Sequence, residues 1–292
     1  MTRPQHLEAY WREVDDELAQ VAARPVLEPM PRHSSDRFTV WAVRMTSIGP
    51  HRVFGYLSIP AGEGPFPALL ETPRYGSVNH VPDYHDRLRY VVLTLMHRGQ
   101  RCADDVFAAE YPGLLTLGIE NAATYVYRGV VADCLRAAEV LLARPEVDTT
   151  RAAVVGDDLA LITASRRPGI GTVRSGASMF YRAGEARRRT SAYPLQELND
   201  VLRAWPERES AVEDCLSLFD PLHHAPAVRA TTLLVEDDDQ EWTAPLGEAL
   251  GGPVERYRLT HRGGTDHDHL DAWLARRLDV APMSRFLRSL PA

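Results

Sequence analysis

Apolar residues open the chain at helical spacing: Leu7, Tyr10, Trp11, Val14 and Leu18 recur at three- and four-residue steps between His6 and Ala19. One face of that segment is apolar and the other charged, which predicts an amphipathic N-terminal helix. Residues 25–31 carry three prolines and read as a linker. The period then changes to two. In 37–44 the residues Phe38, Val40 and Ala42 share one side, and 52–59 follows a Gly49–Pro50 turn, so this pair predicts an antiparallel hairpin at a sheet edge. From Phe66 onward short apolar strands (68–72, 90–95, 152–155, 231–235 and 254–259) alternate with long helical stretches. Such alternation predicts an α/β fold with a mainly parallel sheet flanked by helices. The strongest helix pattern is 125–143, where Val130, Cys134, Ala138, Leu141 and Leu142 form one stripe that places Cys134 in the core. Residues 181–226 are polar and read as two helices, one around Glu197, Leu198, Val201 and Leu202, the other around Val212, Leu216 and Phe219. We read them as a small helical insertion near the pocket of a single domain, 1–292, whose first thirty residues are helix and linker.

Composition narrows the classes of function. A net charge of -7 argues against nucleic acid or an anionic membrane as the main partner. The longest apolar run, 91–96, falls far short of the ~20 residues that span a bilayer. The N-terminal residues show no apolar signal-peptide core. Cys102, Cys134 and Cys215 are odd in number and scattered, so no disulfide framework is expected. A cytoplasmic, reduced protein follows as the expectation, with Arg187, Arg188 and Arg189 on a solvated loop.

The stretch around which the chain is organised is 151–161. Val154 and Val155 read as the end of a strand, Gly156 as a tight turn, and Leu159 to about Ser165 as a helix. An α/β-hydrolase carries its nucleophile elbow in this setting, small–x–nucleophile–x–small, because the turn is too tight for large flanking residues. Gly156 and Ala160 supply the small flanks, and the position between them holds Asp158. Other segments share this context: Tyr75-Gly76 after the strand 68–72, His97-Arg98-Gly99-Gln100, Gly118-Ile119 followed by Tyr125-Val126-Tyr127-Arg128 and Asp133, Arg144 to Asp148 with Arg151, and Leu216 to Asp220 with Ala225-Pro226. In order and spacing they resemble the acetyl xylan esterase and cephalosporin C deacetylase family of α/β-hydrolases over nearly the whole chain. That resemblance implies an α/β-hydrolase fold, a small acylated or other organic substrate, and a scaffold in which a homo-oligomer is an open option. It places the triad acid on Asp239, with Asp237 and Asp238 as neighbours able to take the role, and the histidine on His261. Tyr75 and Leu159 become the oxyanion-hole residues. The departure is the nucleophile, where the family's Gly-x-Ser-Gln-Gly is replaced by Gly156-Asp157-Asp158-Leu159-Ala160.

An aspartate changes the chemistry. A carboxylate attacking an ester carbonyl would form a mixed anhydride and expel a poorer leaving group than itself, so ordinary deacetylation through Asp158 is disfavoured. Attack on an sp³ carbon, general-base action, or an orienting role toward His261 are the chemically competent alternatives. Three functions follow: an esterase-like hydrolase with an altered Asp158–His261–Asp239 triad, a pseudoenzyme binding a small ligand or partner, and a lyase or cyclase using Asp158 and His261 as acid and base. Asp158 also suits a plain helix cap. Asp266-His267-Asp268-His269 reads as a polar helix start rather than a metal site, and no cofactor or metal is called for. His223 and His224 are expected at the surface or lining the pocket, and Ser165 and Ser178 lack an elbow context.

Overall fold

Helix α1 (Leu7–Gln20) forms where the 3.6-residue pattern places it and buries Leu7, Trp11, Val14 and Leu18. The computed structural model describes residues 3–49, 51–78, 81–100, 102, 107–237 and 239–284. Trp11 is fully buried, and its indole N–H donates to the Leu218 carbonyl at 2.9 Å. The helix is thereby tied to the far end of the insertion as well as to the core. Each aliphatic side chain buried on that face stabilises the fold by roughly 1.5–3 kcal/mol.

Among the described residues nine strands make one sheet, in the order β1-β2-β3-β5-β4-β6-β7-β8-β9. In chain order they are β1 (Val26–Pro29), β2 (Phe38–Thr46), β3 (Arg52–Pro60), β4 (Phe66–Glu71), β5 (Val91–Leu95), β6 (Val147–Gly156), β7 (Thr172–Gly176), β8 (Thr231–Glu236) and β9 (Val254–Arg258). The pairs from β5 across to β9 run parallel, and those joining β1, β2, β3 and β5 run antiparallel. Two expectations change here. The proline-bearing linker is an edge strand, with Leu27 opposite Val43, and Pro29 is tolerated because β1 has a neighbour on one side only. The predicted hairpin therefore lies second and third in the sheet. Strand β7 had no apolar run to announce it, Val173 being its one large apolar residue, yet it fills the gap between β6 and β8.

Helix α3 (Val126–Leu142) packs on β4 and β6, and α4 (Asp158–Arg166) packs on β7. They belong to the larger core, which also holds Cys134, fully buried as expected. On the opposite face α10 (Gly263–Arg277) lays Trp273 and Leu274 against Leu69, Val92 and Leu233. The short α2 (Tyr84–Arg87) precedes β5, and α9 (Gln240–Ala249) joins β8 to β9.

Between β7 and β8 the chain forms α5 (Ala183–Ala186), α6 (Gln196–Ala204), α7 (Glu209–Ser217) and α8 (Pro221–His224). His223 and His224 are buried there, contrary to expectation. The His224 ring meets the Trp11 ring edge-on, and its Nε2–H donates to the Leu218 carbonyl at 2.9 Å. Removal from water holds both imidazoles neutral, with pKa values lowered to about 4. The arginine cluster is not loosely solvated either. Arg187 is buried and paired with Glu209, and Arg188 reaches Glu209 and Glu213 at 3.3 Å.

Candidate functional site

Strand β4 lies between β5 and β6, so the chain crosses over β4 on its way from β5 to β6. In parallel sheets such a switch point opens a crevice at the carboxyl ends of the strands, which is where ligands sit. The crevice holds a cavity of about 350 Å³. Its walls come from three places: Pro73, Arg74 and Tyr75 after β4; Asp157, Asp158 and Leu159 after β6; and Ser178, Met179, Tyr193 and Pro194 from the β7 end and the insertion. A second cavity of about 320 Å³, near the start of α3, shares no lining residue with it. In that cavity Arg98 and Arg128 are held by Asp133 and Glu17 respectively.

The loop bearing Tyr75 is held from several sides. Gln100 donates its amide N–H to the Gly76 carbonyl at 2.6 Å and accepts the His97 N–H at 3.0 Å. His97 is buried, which lowers its pKa and keeps it neutral. Its Nδ1–H donates to the Arg98 carbonyl, leaving Nε2 to accept the Tyr111 hydroxyl, both at 2.7 Å. Arg98 clamps Asp133 of α3 through two hydrogen bonds of 2.9 and 2.6 Å. The Tyr75 hydroxyl donates to Glu197 of α6, whose other oxygen accepts the Leu115 N–H at 2.9 Å. Burial raises the pKa of Glu197, while its backbone donors oppose that rise. One carboxylate therefore joins the Tyr75 loop, the segment around Leu115 and the insertion. Glu197 carried no sequence signal beyond being an acid on the α6 pattern.

The elbow itself differs from the expected one. An α/β-hydrolase nucleophile stands on a strained strand-to-helix turn that exposes its side chain. Here Asp158 begins α4 directly after Asp157 (φ -111°, ψ -140°), and neither has positive φ among the described residues. Strain is confined to Gly156, at φ +155°, where an added Cβ would lie 2.0 Å from the Thr72 hydroxyl oxygen. Asp158 is 1% exposed. Its two carboxylate oxygens accept the N–H groups of Ser178 and Phe180 at 2.9 and 2.7 Å. Burial lifts its pKa from 3.8 to about 7; those two donors pull it down, and the charges of Asp157 and Asp220 push it up. Asp220 is itself buried, and accepts N–H bonds from Arg182 and Leu222. Asp158 is thus not the cap of its own helix: its carboxylate reaches sideways to the chain leaving β7.

The histidine meets a different acid from the one expected. His261 has positive φ (56°) in the turn before α10, and its Nε2 lies 2.9 Å from Asp237 Oδ1. More than half of the His261 side chain is exposed, and His261 is not among the residues lining the cavity. The partner expected for it, Asp239, is engaged otherwise. Asp239 caps α9 by accepting the Trp242 N–H at 3.0 Å, and it pairs with Arg189 at 2.5 Å. Arg182 and Arg189 each stack on the Trp242 ring, 4.1 and 4.2 Å from its centre. That packing turns Asp239 toward the insertion and leaves Asp237 toward His261; Asp238 lies outside the described residues. The structure brings Tyr75, Asp158 and Leu159 around one cavity and pairs His261 with Asp237. Arg74, Asp157, Met179 and Tyr193 of the lining were not foreseen.

The remaining candidates have structural partners. Ser165 donates to the Ile162 carbonyl at 2.7 Å. In α10, Asp266 accepts the Tyr257 hydroxyl and the Thr260 N–H and hydroxyl, at 2.8 to 2.9 Å. Among the described residues no group of acids, histidines and cysteines is arranged to hold a metal, and no helix is long and apolar enough to cross a membrane.

A mostly parallel sheet of this order, with a strand–turn–helix crossing after β6, is an α/β-hydrolase fold. Solved structures share it. An acetyl xylan esterase from a Paenibacillus species superposes with a TM-score of 0.84 at 22% identity, covering 96% of each chain. Acetyl xylan esterase 1 from a Thermoanaerobacterium species gives 0.79 at 21% identity, covering 94% of this chain and 95% of that one. The acetyl xylan esterase (AXE1) family matches residues 1–246, and the chain belongs to that family. The acetyl esterase Axe7A of Xylanibacter ruminicola is 23% identical over a 209-residue alignment that covers 65% of this chain. The match spans about half of that relative, 47% of its length.

Proposed function

We propose that this protein binds a small organic ligand in the elbow cavity and has given up the covalent ester chemistry associated with its family. The observation that carries this reading is the state of Asp158. Its carboxylate is buried in the first turn of α4, with both oxygens committed to the Ser178 and Phe180 N–H groups. A nucleophile needs an unencumbered lone pair aimed at the substrate and a base within reach. Each Asp158 oxygen already accepts a backbone N–H, and His261 is paired with Asp237. The cavity itself is retained at the switch point, and Tyr193 and Pro194 of the 181–226 insertion shape one wall.

The test is hydrolysis of p-nitrophenyl acetate by wild type, Asp158→Ser, Asp158→Ala and His261→Ala. The expected result is no turnover above buffer for any of them. Wild-type hydrolysis abolished by Asp158→Ala and by His261→Ala would overturn the reading and restore the altered triad. Activity gained by Asp158→Ser would show that histidine, acid and oxyanion hole still assemble.

A second reading rests on a specific observation: a pKa of about 7 lets Asp158 both take and give a proton at neutral pH. On that reading the protein is a hydrolase, lyase or cyclase with Asp158 as acid or base and no acyl-enzyme. It predicts a pH–rate limb near 7 that disappears in Asp158→Asn.

A further inference from the structure

The cavity's chemistry narrows the ligand, an inference that rests on the reading of the pocket as a binding site. Of the ionisable side chains lining it, two are acidic, Asp157 and Asp158, and one is basic, Arg74. Asp157 keeps exposed surface at the mouth yet is hemmed in closely enough that desolvation raises its pKa, while the exposed Arg74 nearby lowers it. Asp158 forms the buried floor, with Asp220 as a further negative neighbour. Solvent screens Arg74 at the rim, whereas charges at the floor act through a low dielectric.

Two tyrosines complete the walls. The Tyr75 hydroxyl is taken by Glu197, and the Tyr193 hydroxyl donates to Asp200 at 2.8 Å. What they offer the cavity is therefore ring rather than hydroxyl. A ring near carboxylates favours a cation over an anion where its face is presented to the ligand. Leu159, Met179, Pro73 and Pro194 supply apolar surface for the rest of a ligand.

We propose that the elbow cavity takes a small organic cation, a primary or secondary ammonium on a compact aromatic or aliphatic skeleton, with the ammonium at Asp157 and the buried charge of Asp158 acting on it from the floor without direct contact. The size fits: the cavity, about 350 Å³, lies at the low end of the usual range for small-molecule sites.

Calorimetric titration of the full chain at pH 8 and low salt, with benzylamine, benzyl alcohol and benzoate as probes, tests this. Benzylamine is expected to bind about tenfold or more tighter than benzyl alcohol, as a charge-assisted hydrogen bond in a buried site implies, and benzoate weakest. Asp157→Asn is expected to weaken benzylamine severalfold, and by more than it weakens benzyl alcohol. Benzyl alcohol or benzoate binding as tightly as benzylamine would overturn the cation assignment while leaving a ligand site in place. Equal benzylamine affinity in Asp157→Asn would overturn it too. If none of the three probes binds, the cavity is not a small-molecule site, and the reading beneath this inference falls with it. The wild-type comparison decides between these outcomes even if the variant folds poorly.

Discussion

Replacing Asp158 by asparagine makes the energetics of the elbow measurable. The native carboxyl titrates near 7 because it is buried, against 3.8 for an exposed one. Between about pH 4 and pH 7 the native state keeps a proton that the unfolded chain has released. Wild-type stability therefore falls as pH rises through that window, by about 1.4 kcal/mol per unit, and levels off above the native pKa. Asparagine does not titrate. It keeps one acceptor oxygen for the Ser178 and Phe180 N–H groups and turns an NH₂ toward the other, at a cost of about 1–3 kcal/mol at any pH. Asp158→Asn should thus be the less stable protein at pH 5 and draw level with or overtake wild type by pH 8. The relative change is about 3 kcal/mol over that range. For a chain of this size it appears as roughly 6 °C in the difference between the two melting temperatures. Calorimetric melts of both proteins at half-unit steps provide the assay, and carboxylates common to the two cancel in the difference. Parallel curves from pH 5 to pH 8 would refute the reasoning, because they would mean that Asp158 is already ionised in the native protein.

Other perturbations test the frame around the cavity. Glu197→Gln leaves one acceptor oxygen for the Tyr75 hydroxyl and the Leu115 N–H, and should cost about 1–3 kcal/mol in denaturant melts, more than Tyr75→Phe. Arg98→Ala strands Asp133, whose side chain is fully buried, and should destabilise by about 3–5 kcal/mol, while the double replacement Arg98→Met, Asp133→Leu recovers much of the loss. Gly156→Ala drives a Cβ into the Thr72 hydroxyl at a positive φ and should lower the melting temperature by several degrees. Adding Thr72→Ala should return part of that loss, and no recovery would place the cost in the backbone alone.

The architecture was legible where one periodicity dominates. The stripe of α1, the alternation of β2 and the apolar runs of β4, β5 and β8 bury most of the residues that their spacing predicts, Tyr10 and Val235 being only half-buried. Legibility failed where distant partners decide. Strand β7 needs no apolar run because its neighbours supply both ladders, and its Ser175 hydroxyl finds the Asp157 carbonyl at 2.9 Å. His224 looks like a surface residue until Trp11, more than 200 positions earlier, is packed against it. The partner of His261 is the sharpest case. A run of three aspartates cannot announce which one faces the histidine. The choice falls to Arg189, fifty positions earlier, and to an α9 start that needs Asp239 as its cap.

Asp158 and the turn beneath it, free of positive φ outside glycine, belong together structurally. A serine hydroxyl can stand exposed on a strained elbow because it needs few partners. A buried carboxylate needs donors for two oxygens, and the Ser178 and Phe180 N–H groups at the end of β7 supply them only if the side chain turns toward that strand. Helix α4 can then begin at Asp158 itself, and no non-glycine residue of the turn carries the strain. Restoring serine alone leaves those two N–H groups without their acceptor, so the shorter side chain is drawn to the same donors rather than into the cavity. Asp158→Ser is accordingly expected to lose stability before it gains esterase activity. Recovering that activity would require moving the chain after β7 as well.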